Sequence, residues 1–369
     1  MITKLIENTD LSKEKEIENI QRKWLPREMH LNSIHGVAMQ AIFSYISWII
    51  ESEPEKYEGE KNKVSKVNTE ILDMFENLIS DKLYTTRYIF GFNLNYLIHL
   101  EEDWVRDYID TLMSTEQLDY IEAIWAGFID NNRIVFQFFK MLRPYYLHAL
   151  EFINENEKLI PYSKDQFISQ IAVLYLQGIE PLEVEDSLIS IFLNIASDSH
   201  RKIFIRNIGV NLDKYQNEEN IEEIKNRLHS LLENRLEKIK SNQVKEYIEE
   251  LEGFTHWFRN SIFNKSWMIN KFFEILNLLG DSLKTLWPFL DSLIDYADDH
   301  SEQVIDILEI ITKREIEDGY LLFEDKYKKI LKILLNSENE EVKQRTVDLI
   351  NYLLKMNLHS FKDLLSESL

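Results

Sequence analysis

A chain of 369 residues with 44% hydrophobic and 12% aromatic residues can bury a large core and is longer than one core ordinarily serves, so two helical domains or an extended helical stack are expected. Only 9 glycines and 6 prolines argue against tight hairpins and glycine-rich ligand loops and favour helices. A net charge of −22 opposes binding of nucleic acid or anionic lipid, and zero cysteines exclude disulfides, thiolate metal sites and cysteine nucleophiles, which fits a cytoplasmic protein.

In chain order, residues 1–10 show no signal-peptide core, and the longest apolar stretch, 42–50, is too short to span a bilayer. Residues 51–69 hold Pro54, Gly59 and many charges and read as a solvated loop. Residues 85–152 combine helical apolar spacing with Trp104, Trp125 and a dense aromatic run, and Ser114 with Gln117 has the spacing of a helix start. A polar break at 211–220 separates an N-terminal helical domain, 1–210, from a C-terminal HEAT-like repeat domain, 211–369. Beyond it Ile221, Ile224, Leu228 and Leu231 follow a 3-4-3 spacing that ends at Arg235, too short for a coiled coil and read as a packing helix. Gly280 follows an apolar segment as a left-handed C-cap, with Asp281 or Ser282 capping the next helix. Val304, Ile307, Leu308 and Ile311 fall on one helical face; Ser337 with Glu340 forms a capping-box interval before a stripe of Val342, Leu349, Ile350 and Leu353. Roughly fifteen to eighteen helices are expected. The fold class is all-α, a degenerate HEAT-like α-solenoid of stacked hairpins with a repeat of about 40 residues.

Catalytic templates fail. His99 is followed by Leu100, Glu101, Glu102 and Asp103, with no second histidine at the zinc-protease interval, and residues 280–285 lack the glycine before lysine that wraps a phosphate. No nucleophile elbow or dinucleotide loop occurs, so no metal and no cofactor is expected. Arg143 and His148 have the Arg-x4-His spacing of HEPN-type ribonucleases, which use such a pair on a scissile phosphate; Pro144, where that family has a polar residue, instead reads as the opening of a helix, with Arg143 at its solvated start and His148 on the surface. Glu101, Glu102 and Asp103 suit a first helical turn, Asp298 to His300 an inter-helix turn, and the basic runs His200-Arg201-Lys202 with Arg206 and Lys326, Lys328, Lys329 and Lys332 solvated helix faces.

The remaining surface candidate is aromatic. Phe136, Phe138, Phe139, Tyr145, Tyr146 and Phe152 stand near Trp125 and Trp104, and part of this set is a candidate lining for a partner-binding groove with Arg106, Arg133 and Arg143 at its rim; the alternative is core.

Three stretches resemble the C-terminal helical-repeat regions of large bacterial anti-phage defence proteins that carry a STAND NTPase or sirtuin-like effector upstream. They are Leu25-Pro26-Arg27-Glu28-Met29-His30 leading into 32–50, Thr86-Arg87-Tyr88 through Trp104-Val105, and Glu122-Ala123-Ile124-Trp125-Ala126-Gly127-Phe128-Ile129. The resemblance covers about the first 155 residues and implies a sensor or scaffold region; every effector motif is missing, so it transfers no enzymatic role. The expected function is therefore a non-catalytic helical scaffold or sensor that binds a protein partner, such as an effector or phage protein, in a bacterial defence or stress system. The competing readings are the Arg143/His148 ribonuclease and an acidic nucleic-acid mimic.

Overall fold

The computed structural model describes residues 12–21, 26–80, 83–113, 118–131, 134–155, 161–258, 262–280, 287–317 and 323–367. Among these the protein is all-α, with 21 α-helices and no strands. It divides into two compact units, 1–167 and 168–369, and the division falls inside one helix, Pro161–Leu176. This lies N-terminal to the polar break at 211–220, where a short 3-10 turn, Leu212–Tyr215, carries Leu212 into the core. A polar stretch marks a solvated turn, which is found within domains as well as between them.

Unit 1 contains α1 (Lys13–Gln21), α2 (Pro26–Leu31), α3 (Ile34–Ser52), α4 (Pro54–Tyr57), α5 (Val64–Val67), α6 (Thr69–Ser80), α7 (Tyr84–Leu100), α8 (Glu102–Leu112), α9 (Leu118–Asp130) and α10 (Phe136–Glu155), followed by the first part of α11 (Pro161–Leu176). Helix α7 is its axis and is buried on nearly every side. Its free N-terminal amides are met by Glu16 of α1, whose Oε2 and Oε1 accept from Tyr84 N at 2.7 Å and Thr85 N at 2.9 Å. Arg87 in turn donates to the carbonyls of Thr111 at 2.5 Å and Leu112 at 2.8 Å, closing the C-terminal end of α8. The crossing of α7 with α9 requires glycine: a Cβ on Gly91 would lie 2.0 Å from Ile124 O and one on Gly127 1.9 Å from Tyr88 O. Tyr88 OH donates to Asp130 Oδ2 at 2.7 Å across the same contact.

The expected loop at 51–69 is corrected. Two short helices, α4 and α5, occupy it, and Tyr57 and Val64 are buried. Glu101, expected in a first helical turn with Glu102 and Asp103, precedes α8 and is buried, its Oε2 accepting from Ser65 N at 3.1 Å, while Asn62 Nδ2 donates to Asp103 Oδ2 at 2.6 Å. Two apolar anchors among many charges leave no periodic pattern, which is why the sequence reads as loop.

Unit 2 contains the rest of α11, then α12 (Leu188–Ile195), α13 (Asp198–Asn211), α14 (Ile221–Lys240), α15 (Ile248–Phe254), α16 (Lys265–Leu279), α17 (Trp287–Tyr296), α18 (Ser301–Glu317), α19 (Glu324–Leu335), α20 (Glu340–Lys355) and α21 (Lys362–Glu367). From α16 onward every second helix packs together, α16 on α18 on α20 and α17 on α19 on α21. The stripes of α18 and α20 face the core as expected. The start of α20 differs: Asn339, not Ser337, is its cap, with Oδ1 accepting from Glu341 N at 2.9 Å and Val342 N at 3.4 Å. Gly280 closes α16 at φ 49°, as a C-cap should, while Asp281, Ser282, Ser114 and Gln117 lie outside the described residues.

Arg235, which ends the apolar spacing in α14, does not end the packing. Leu232, Leu236 and Ile239 continue the seam, and Arg235 is itself 1% exposed. Its Nε and Nη2 donate to Glu250 Oε1 and Oε2 at 2.5 and 2.9 Å, and Arg201 Nε donates to the same Oε2 at 2.6 Å. Tyr247 lies against both guanidiniums, 4.8 Å from Arg201 and 5.8 Å from Arg235. Asp198 accepts from Glu249 N and Glu250 N at 2.8 and 3.0 Å, fixing the start of α15. Arg201, read as part of a solvated basic run, thus belongs to a buried ionic cluster; a run of basic letters does not reveal which member turns inward.

Candidate functional site

The surface feature with built geometry lies in unit 1, where α3 and α7 run beside each other. A cavity of about 400 Å³ is lined by Gln40, Phe43, Ser44 and Ser47 of α3, Asn93, Asn95, Tyr96 and His99 of α7, and Asn131 and Val135. Helical spacing produces it: Gln40, Ser44 and Ser47 share one edge of α3, and Asn93, Tyr96 and the Asn95–His99 pair share the facing edge of α7. The wall is held by its own hydrogen bonds. Ser47 Oγ and Tyr96 OH share one of 2.7 Å, Asn93 Nδ2 donates to Ile89 O at 2.9 Å and to Gln40 Oε1 at 3.4 Å, and Asn131 Nδ2 donates to Phe92 O at 2.5 Å. Burial pushes the Tyr96 hydroxyl above its ordinary range. The lining carries amides, hydroxyls and one imidazole but no carboxylate, lysine or arginine, which equips it to hydrogen-bond an uncharged polar group rather than to hold a charge.

Beside this cavity, α3 turns an apolar face outward. Ile34, Val37, Tyr45 and Trp48 are 52, 55, 42 and 64% exposed, and Ala41 stands half-buried between them. Their angles around a helix of 3.6 residues per turn fall within about 80°. Tyr45 and Trp48 lie against one another with ring centroids 6.4 Å apart. The opposite side of α3, formed by Met39, Ile42, Phe43 and Ile46, is core, and Ser33 caps the helix by accepting from Gly36 N at 3.0 Å. Helix α3 is therefore apolar on two faces, with the polar cavity edge along one side of its outer stripe.

The candidate residues read from sequence are dispersed. Trp104 is 6% exposed and packs with Phe75, Phe90 and Tyr108, whereas Trp125, 7% exposed, packs with Phe128, Tyr146 and Phe167. They occupy two separate aromatic clusters inside unit 1. Arg106 is exposed and paired with Glu102, Tyr145 is half-buried and donates to Asp110, and Phe136 is exposed. Arg133 and the Phe152 side chain lie outside the described residues. Arg143 is half-buried and His148 exposed on α10; five residues apart, they diverge by about 140° around the helix. Pro144 lies inside α10 and does not open it, so Arg143 is not at a helix start; the proline sits on the exposed side of the helix. Of the second basic run, Lys326 pairs with Asp291 at 2.7 Å and Lys328 lies over Phe361, and Asp298 to His300 form the turn between α17 and α18. Among the described residues no cluster of His, Asp or Glu has the arrangement of a metal site, and no helix is long and apolar enough to cross a membrane.

No protein-family model, curated protein or solved structure matches this chain. The site must then be read from its geometry. The outward stripe of α3 escapes sequence reading because the helix is apolar on both its buried and exposed sides, and periodicity finds a single apolar face. One signal was present: between Ile34 and Ile50 the only ionisable groups are His35 and Tyr45, in a chain that is 29% charged.

Proposed function

We propose that this protein is a helical binding scaffold that acts by engaging a protein partner through the outer face of α3 and the polar cavity beside it. The observation that carries this reading is the exposed stripe Ile34, Val37, Tyr45 and Trp48, because the largest apolar patch on a soluble protein is often a docking surface. The uncharged cavity complements it, offering amides and hydroxyls to a partner's backbone or polar side chains at the border of the apolar contact. The paired packing of helices from α16 to α21 supports an array of stacked hairpins of the solenoid kind in unit 2. The resemblance of about the first 155 residues to helical regions of bacterial defence proteins supports a cytoplasmic setting and a sensing role in a defence or stress system.

The test is co-purification from the native host with tagged wild type and with Trp48→Asp. The expected result is a stoichiometric protein retained by the wild type and lost from the variant, with the variant still folded and helical. Equal recovery from both would remove α3 as the contact surface, and ribonuclease activity lost on His148→Ala would replace the scaffold reading altogether.

A further inference from the structure

We propose that the partner seated on α3 is a second copy of this chain, related by a two-fold axis through Ala41; this rests on the reading of α3 as the binding surface. The outward stripe is symmetric about that residue. Val37 and Tyr45 stand four positions before and after Ala41, and Ile34 and Trp48 stand seven before and after. Two α3 helices packed antiparallel with Ala41 at the centre therefore bring Val37 against the partner copy's tyrosine and Ile34 against its tryptophan, each medium side chain meeting a large one. The small alanine lets the helices approach closely where they cross. A palindromic patch of this kind is what an isologous contact requires, since each copy presents the same surface to the other.

Charge and size point the same way. The molecule carries −22, so most faces of two copies repel, whereas the exposed positions of α3 from Ile34 to Ile50 carry no ionised side chain at neutral pH. With whole side chains of about 150–250 Å² for the larger residues, the exposed fractions of these four residues amount to roughly 400 Å² per copy. A pair then buries about 800 Å² before any rim is counted, the lower end of the range, where reversible contacts lie.

The chain has zero cysteines, so single introduced thiols report the geometry directly. Under mild oxidation Ala41→Cys is expected to form a disulfide-linked dimer. Trp48→Cys alone is not, because the axis separates the two copies of that position by about 21 Å along the helix; an equal mixture of Ile34→Cys and Trp48→Cys is expected to link. Sedimentation of the wild type should show a dimer and that of Trp48→Asp a monomer that keeps the wild type's helical circular dichroism. A wild type that sediments as a monomer, or linkage through Trp48→Cys in place of Ala41→Cys, overturns the proposal. If the purified protein is monomeric but Trp48→Asp still loses a different protein in host co-purification, self-association fails and the binding surface stands; if that variant loses nothing, both fail.

Discussion

Gly127 approaches Tyr88 so closely that a single added methyl group has nowhere to go, since its Cβ would sit 1.9 Å from a backbone oxygen that α7 cannot withdraw without bending. Gly127→Ala is expected to cost about 3 kcal/mol in urea unfolding, the upper end of ordinary overpacking. Titration acts at the same scale. Burial lowers the His30 imidazole, which lies 5.6 Å from the Tyr88 ring, and burial also lowers His229, which stacks on Phe263 and lies tilted against Trp267 with ring centroids 4.1 Å apart. Both are held neutral in the fold, whereas in the unfolded chain they take up protons near 6.5. The stability they contribute is thus complete above 6.5 and lost as pH falls through their lowered folded values. The thermal midpoint should fall between pH 7 and about 5, and His229→Leu should flatten that slope; a midpoint that rises on acidification would contradict the assignment.

At the scale of elements, the buried cluster around Glu250 joins α13, α14 and α15. Glu250→Ala removes the carboxylate that two arginines share, leaving the buried Arg235 without its ion pair, and should cost about 3–5 kcal/mol, whereas Lys343→Ala, which removes only an exposed pair with Glu340, should stay within about 0.5 kcal/mol. Calorimetry on the two variants separates them. The tryptophans divide likewise. Trp104→Ala and Trp125→Ala remove core and should each cost about 3–5 kcal/mol, while Trp48→Asp removes no core and should lose only what association contributes. What could be read from sequence follows this division. Val304, Ile307, Leu308 and Ile311 were legible because their spacing places them on one side of a helix whose other side is mostly charged. The inward turn of Arg201 and Arg235 was not, because a charged letter gives no sign of the glutamate that meets it across the fold. Nor was the outward turn of α3, because apolar letters occur on both of its faces.

For the molecule as a whole, helical class was legible in composition alone, since few glycines and prolines and many strong helix formers leave little else to build. The division between Phe167 and Ile168 was not, because helix α11 runs through it without a turn residue to mark it. Net charge supplies a prediction at this scale. If two copies meet through an uncharged face, added salt screens their mutual repulsion, so association should strengthen between about 30 and 300 mM NaCl. An acidic face engaging a basic partner would weaken over the same range. The most direct test of α3 as the contact surface is photo-crosslinking in the native host, with a benzophenone side chain placed at position 48 in one strain and at position 148 in another. Adducts formed from position 48 and absent from position 148 are the predicted result; adducts confined to position 148, or none from position 48, would contradict it.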